Sequence, residues 1–296
     1  MMSVSDALTA LTESAPYIGT LVFVSVTAVW LRSFQKNQQR HETYKEWIRR
    51  ARDERDANEH AVLNETVGKD EGEAAAARTA TETYASLAGG SVDMARNVAA
   101  LAARCRKYGR NEAAGGTNAI TEEFFDQAHQ RAIALQKKKK PDPLPLLYGI
   151  PISIKECLSI EGTYSTGGMA CRLKQRDEHD SLIVQVLKKA GALPLCSGNV
   201  TQCMFLPESV NNIWGRSKNP WDLERTPGGS SGGDAALVAM GCVSCLCDDD
   251  RMDERSPIAP THFFLSLTFS TGAYCSMFRC GWLDSYSRLV LWYRRL

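Results

Sequence analysis

The sequence has almost no net charge: 35 lysines and arginines stand against 34 aspartates and glutamates, leaving +1 over 296 residues. That balance supplies no global electrostatic pull toward nucleic acid, so nucleic acid is not an expected partner. No G-x-x-x-x-G-K-[ST] occurs, which removes the phosphate-binding loop of that type, and there is no internal repeat. The ten cysteines lack the spacing of a disulfide framework, because Cys242, Cys245, Cys247, Cys275 and Cys280 crowd the last 55 residues. Reduced thiols are therefore expected. Cys242, Cys245 and Cys247 with His262 have the chemistry of metal ligands, but the second cluster that a structural zinc site pairs with is missing. The trio reads as incidental, with no metal and no cofactor.

A basic stretch is also missing ahead of the apolar run "SAPYIGTLVFVSVTAVWL" at residues 14–31. Asp6 and Glu13 precede the run and Arg32, Lys36 and Arg40 follow it, the reverse of a cleaved signal peptide. Eighteen uncharged residues just cover a hydrocarbon core. With the positive charges on the downstream side, residues 1–34 read as an uncleaved transmembrane anchor, its N-terminus outside, the bulk of the chain cytosolic and Trp30 near the interface. Residues 35–84 read as a polar, largely helical linker, in which Glu42, Glu46, Arg49 and Arg50 stand at spacings that support an exposed helix.

What is present beyond residue 85 alternates between helix and strand patterns. "SVDMARNVAALAARCRKYG" and "TEEFFDQAHQRAIALQ" read as helices, the second capped by Thr121 and burying Phe124, Phe125, Ala128 and Ala132 on one face. Four lysines at residues 137–140 suit that helix's C-terminal dipole, and Pro141 and Pro143 stop it. Those lysines could meet anionic lipid, but a solvated loop is the plainer reading. "LLYGIPISIKE" is β-branched and apolar, a buried strand that ends on Lys155 and Glu156. "DSLIVQVLKKAGALPLCSGN" then gives a helix from Ser181, a stop at Gly191 and a short strand. The expected class is α/β, a layered sheet with helices against it.

"PGGSSGGDAALVAM" sets Ser230 and Ser231 between two glycine pairs just before an alanine-rich and leucine-rich segment, hence near a helix N-terminus. Backbone amides there suit an anion, and glycines allow a substrate close approach. A serine nucleophile needs a base. G-x-S-x-G fits in two registers, but a Ser231–His262 esterase would need a strand leading into a nucleophile elbow, and none precedes the loop. A buried lysine, whose charged form is disfavoured by desolvation, is the other base, and Lys155 fits it better.

"YGIPISIKE", "GNVTQCMF" and "NNIWGRSKNPWDLERTPGGSSGGDAAL" together resemble the amidase signature family, from about residue 115 to residue 240. The apolar anchor and "CMFLPESVNNIWG" are most similar to its fatty-acid amide hydrolases. The resemblance implies a partial amidase-signature fold over residues 85–241, a mixed sheet flanked by helices. It also implies amide hydrolysis through a Ser-Ser-Lys relay, with Lys155 as base and acid, Ser230 as the bridging, substrate-side serine and Met204 lining the substrate site. The implied partners are a fatty-acid amide or related lipid, the membrane and a second copy of the chain. The implied location is a single-pass endomembrane protein, as in the endoplasmic reticulum.

In that family the acyl-forming serine follows about two dozen residues after the bridging one, in a GTDIGGS-like stretch whose amides form the oxyanion hole. Here the chain reads "CVSCLCDDDRMDERS". Glu254 takes the nucleophile position, Arg251, Met252 and Asp253 stand where the oxyanion amides belong, and Ser256 lacks flanking glycines. Residues 242–296 are a divergent tail, as a frameshift, an alternative exon or a truncated transcript would produce. Little or no amidase activity is expected. The alternatives are a non-catalytic lipid-amide-binding or regulatory membrane protein, or the Ser231 esterase.

Overall fold

The β-branched run that ends on Lys155 forms the strand β2 (Pro151–Lys155), buried at every position. The computed structural model describes residues 4–64, 68–110, 115–248, 264–269 and 289–292. Around β2 stand β1 (Ile120–Glu123), β3 (Leu193–Gly198), β6 (Cys245–Asp248), β7 (Phe264–Phe269) and β8 (Leu289–Trp292), in the order β1-β3-β2-β6-β7-β8. β2 pairs in parallel with β3 and with β6; the β1–β3, β6–β7 and β7–β8 pairs are antiparallel. A strand flanked by two parallel neighbours and covered on both faces has no wet side, which is why its sequence is continuously apolar up to the lysine. A separate hairpin joins β4 (Val210–Asn211) to β5 (Gly215–Arg216).

The chain divides into residues 1–49 and residues 50–296. The first unit is helical, within α1 (Val4–Ala57). Among the described residues no helix is long and apolar enough to cross a membrane. The side chains of residues 1–27 and of Trp30 lie outside the described residues, and with them nearly all of the segment at residues 14–31 read as a span. In the second unit follow α2 (Lys69–Ala77), α3 (Ala80–Gly89), α4 (Met94–Arg104), α5 (Phe125–Lys137), α6 (Leu182–Lys189) and α7 (Gly232–Ala239). One core gathers α4, α5 and α7 on β3 around Val98, Leu101, Phe125 and Leu237. The other packs Ile183, Val184 and Leu187 of α6 on Ile152 and Ile154 of β2.

The αβ unit after residue 180 is as the pattern predicts. Ser181 flanks α6, Gly191 adopts φ +92° to leave the helix, and β3 follows two residues on. The cap expected at Thr121 is a correction. Thr121 lies inside β1, buried, with Oγ1 donating to the Ser197 carbonyl at 3.3 Å, and α5 begins only after Phe124. Pairing this segment with β3 buries Ile120 and satisfies its backbone, which outweighs the local capping preference of a threonine. The lysine run also does more than end α5. Lys140 Nζ donates to the Leu87 and Ala88 carbonyls at 2.9 Å, capping the C-terminus of α3 from fifty residues away.

Candidate active site

Lys155 closes β2 opposite Gly198, the last residue of β3. Beyond β3 the chain turns at Asn199, whose amide donates to the Ala119 carbonyl at 2.7 Å and whose own carbonyl accepts from Gly233 in the first turn of α7 at 3.0 Å. That bond fixes the α7 N-terminus over the ends of the two parallel strands, where substrate crevices of such sheets form. The loop ahead of α7 then brings Ser230 to the lysine: Lys155 Nζ donates to Ser230 Oγ at 3.0 Å. Lys155 is 1% exposed, while Ser230 is half-buried. An amine and a hydroxyl in contact, with the amine shielded from water, can exchange a proton without a solvent intermediary.

Two buried asparagines shape the surrounding loops. Asn199 Nδ2 donates to Ser217 Oγ at 3.0 Å and to the Gly215 carbonyl at 3.2 Å, and its Oδ1 accepts from Asn211 Nδ2 at 2.8 Å. Asn211 Oδ1 accepts from the amides of Ile213 and Trp214. Beside the lysine, the Glu156 carboxylate is fully enclosed. It accepts from Thr166 N at 2.9 Å, Gly167 N at 2.8 Å, Thr166 Oγ1 and, at 3.5 Å, Trp214 Nε1. Burial pushes its pKa up to about 7, against the opposing pull of those donors. The sequence marks Glu156 only as a strand end.

Met204 lies on the neighbouring loop with φ +53°. Two bonds hold the residues leading into it: Thr201 N donates to the Ser230 carbonyl at 3.3 Å and Cys203 N to the Gly167 carbonyl at 2.8 Å. Phe205 and Leu206 follow, 88% and 51% exposed. Ser231 flanks the start of α7. Glu254, Ser256 and His262 lie outside the described residues, as do Arg251, Met252 and Asp253 and the side chains of Cys245 and Cys247. Cys242 is buried, its carbonyl accepting from Cys105 Sγ at 3.2 Å. Among the described residues no group of three or more histidines, cysteines or acids could hold a metal ion.

The strands β1, β2 and β3, the lysine at the end of β2 and the glycine-serine loop against it fall within a match to the Amidase family model over residues 99–245. This segment is an amidase-signature domain. It is 47% identical over 117 residues to the vitamin D3 hydroxylase-associated protein of Gallus gallus, which takes in 40% of this chain and 25% of that one. It is also 47% identical over 96 residues to fatty-acid amide hydrolase 1 of Sus scrofa, 32% of this chain and 17% of the relative. A solved fatty acid amide hydrolase superposes with a TM-score of 0.54 at 25% identity, over 61% of this chain and 31% of that one. The chain thus matches a quarter or less of the length of these curated relatives. The amidase-signature match stops at residue 245, inside β6.

Proposed function

We propose that this chain carries the proton-handling part of an amidase for fatty-acid amides, held at a membrane by residues 14–31, and that it turns over little or no amide itself. The observation that carries the reading is the 3.0 Å contact between the enclosed Lys155 and Ser230. In the relay, Ser230 Oγ takes the proton of an acyl-forming serine and gives its own to Lys155 Nζ. The proton then returns by the same route to the leaving amine as the C–N bond breaks. That serine and its oxyanion donors are what residues 242–256 do not supply. One lost oxyanion donor costs about 10²- to 10³-fold, and the missing nucleophile costs more. A glutamate at position 254 would instead attract a proton or favour a charged lysine.

An apolar substrate suits the exposed Phe205 and Leu206 beside Met204, and it agrees with the names of the relatives. The same exposed pair favours, as a second reading, retention of a lipid amide without turnover. A fluorophosphonate probe tests the reading. Incubated with the full chain, it is expected to leave every serine unlabelled, as mapped by peptide mass. Labelling that disappears in Lys155→Ala would show an intact relay and contradict the inactivity. Labelling that depends on His262 would point to the Ser231 esterase instead.

A further inference from the structure

Ser209 touches the glycine-serine loop on both sides of Ser230. It is fully buried. Its Oγ accepts from Gly232 N at 2.7 Å and donates toward the carbonyls of Gly228 at 3.1 Å and Ser230 at 3.2 Å. Its amide donates to the same Gly228 carbonyl at 3.1 Å, and its carbonyl accepts from Ser217 N at 2.9 Å, anchoring it to the segment that follows β5. One hydroxyl thus binds the residue two before Ser230, Ser230 itself and the residue two after. The fit leaves no slack. A Cβ on Gly232 would stand 2.6 Å from Ser209 Oγ, and one on Gly229 would stand 2.7 Å from Glu208 N.

We propose that Ser209 is the positioning residue that sets the Lys155–Ser230 contact. A loop with four glycines in residues 228–233 has many accessible backbone states, and the Lys155–Ser230 bond alone cannot select among them without distorting. A hydroxyl rooted on a different segment can, because it accepts from Gly232 N and shares its one hydrogen between the Gly228 and Ser230 carbonyls, fixing three points of the loop relative to that segment. Removing the hydroxyl leaves the Gly232 amide without its partner in a buried setting, so the loop shifts to find one. Ser230 then moves with it. The inference rests on reading Lys155 and Ser230 as a working pair, and it assigns Ser209 no contact with substrate.

The test follows the lysine rather than turnover. In full-length protein carrying 13Cε-labelled lysine, the Lys155 signal is assigned by its loss in Lys155→Met and compared among variants. Ser230→Ala is expected to displace the signal, because its partner is gone. Ser209→Ala is expected to displace it in the same sense and to speed exchange of the Gly232 amide about fivefold to tenfold. Ser209→Cys keeps the side-chain shape with a slightly larger and much weaker hydrogen-bonding group and gives the same reading where the alanine variant does not fold. A signal displaced by Ser230→Ala but unmoved by Ser209→Ala and Ser209→Cys would overturn this proposal alone. A signal unmoved by Ser230→Ala would overturn the pair itself.

Discussion

Gly233→Ala is expected to destabilise the domain severely, seen as a sharply lowered denaturant midpoint and loss of soluble protein. A Cβ at this position would stand 2.2 Å from Asn199 N and 2.6 Å from the Ala119 and Asn199 carbonyls, all backbone atoms. None of them can rotate away. Relief requires lifting α7 off the end of β3, which breaks the Gly233–Asn199 bond, or opening the Asn199–Ala119 link between β3 and the segment leading into β1. Overpacking typically costs about 1–3 kcal/mol and occasionally more, and with fixed backbone on every side this position falls at or above the top of that range, a large share of the ~5–15 kcal/mol that holds a domain together. Gly72, inside α2, meets nothing within 4 Å. Gly72→Ala is therefore expected to raise stability by about 0.5–1 kcal/mol, through the lower conformational freedom of alanine. Equal midpoints for the two variants would contradict the packing described for α7.

The second large effect is one of pH. Burial pushes Glu156 and Glu122 from 4.5 up to about 7, Glu122 against the pull of Arg176. A carboxyl whose pKa is raised by folding binds its proton more tightly in the folded state. Stability is therefore highest below the unfolded value and declines as pH rises through the folded one. Each group costs the folded state on the order of 3 kcal/mol once fully ionised. Other carboxylates set the acid limit. Glu123 is an example: burial is the largest influence and raises its pKa, but His60, Arg110 and Arg106 together hold it below the usual range. It loses stability only as pH falls through that low value. The unfolding free energy is thus expected to peak near pH 5 and decline toward pH 8, with Glu156→Gln removing about half of the decline. A flat or rising profile between pH 5 and 8 would count against the enclosed carboxyls.

These effects differ in how far the sequence announces them. The strand ending on Lys155 and the helix opening after Ser231 are legible because each is a local pattern: a β-branched run, and paired glycines and serines ahead of an alanine-rich and leucine-rich segment. Their meeting is legible only through the family resemblance, since 75 residues separate Lys155 from Ser230. Ser209, Asn199 and Asn211 carry no local signal. Each of them sends side-chain bonds to backbone groups 11 to 23 residues away, and a serine or asparagine outside a long periodic run reads as ordinary loop. Lys140 reads as solvated for the same reason, although it caps α3. Thr121 misleads in the other direction, because a threonine ahead of an amphipathic segment satisfies the capping pattern while its strand pairing with β3 is decided by tertiary contact. The seam near residue 242 is plain in sequence and quiet in structure: Cys242 and Val243 are buried and β6 joins the sheet beside β2.

Release of fatty acid from a long-chain primary fatty amide by the purified full-length chain measures most directly whether the proton-handling pair of Lys155 and Ser230 lacks an acyl acceptor. The result predicted is release at the uncatalysed background, the same for the unaltered chain, Lys155→Ala and Ser230→Ala. Release above background that falls in both variants would contradict it and place an acyl-forming serine in residues 242–296.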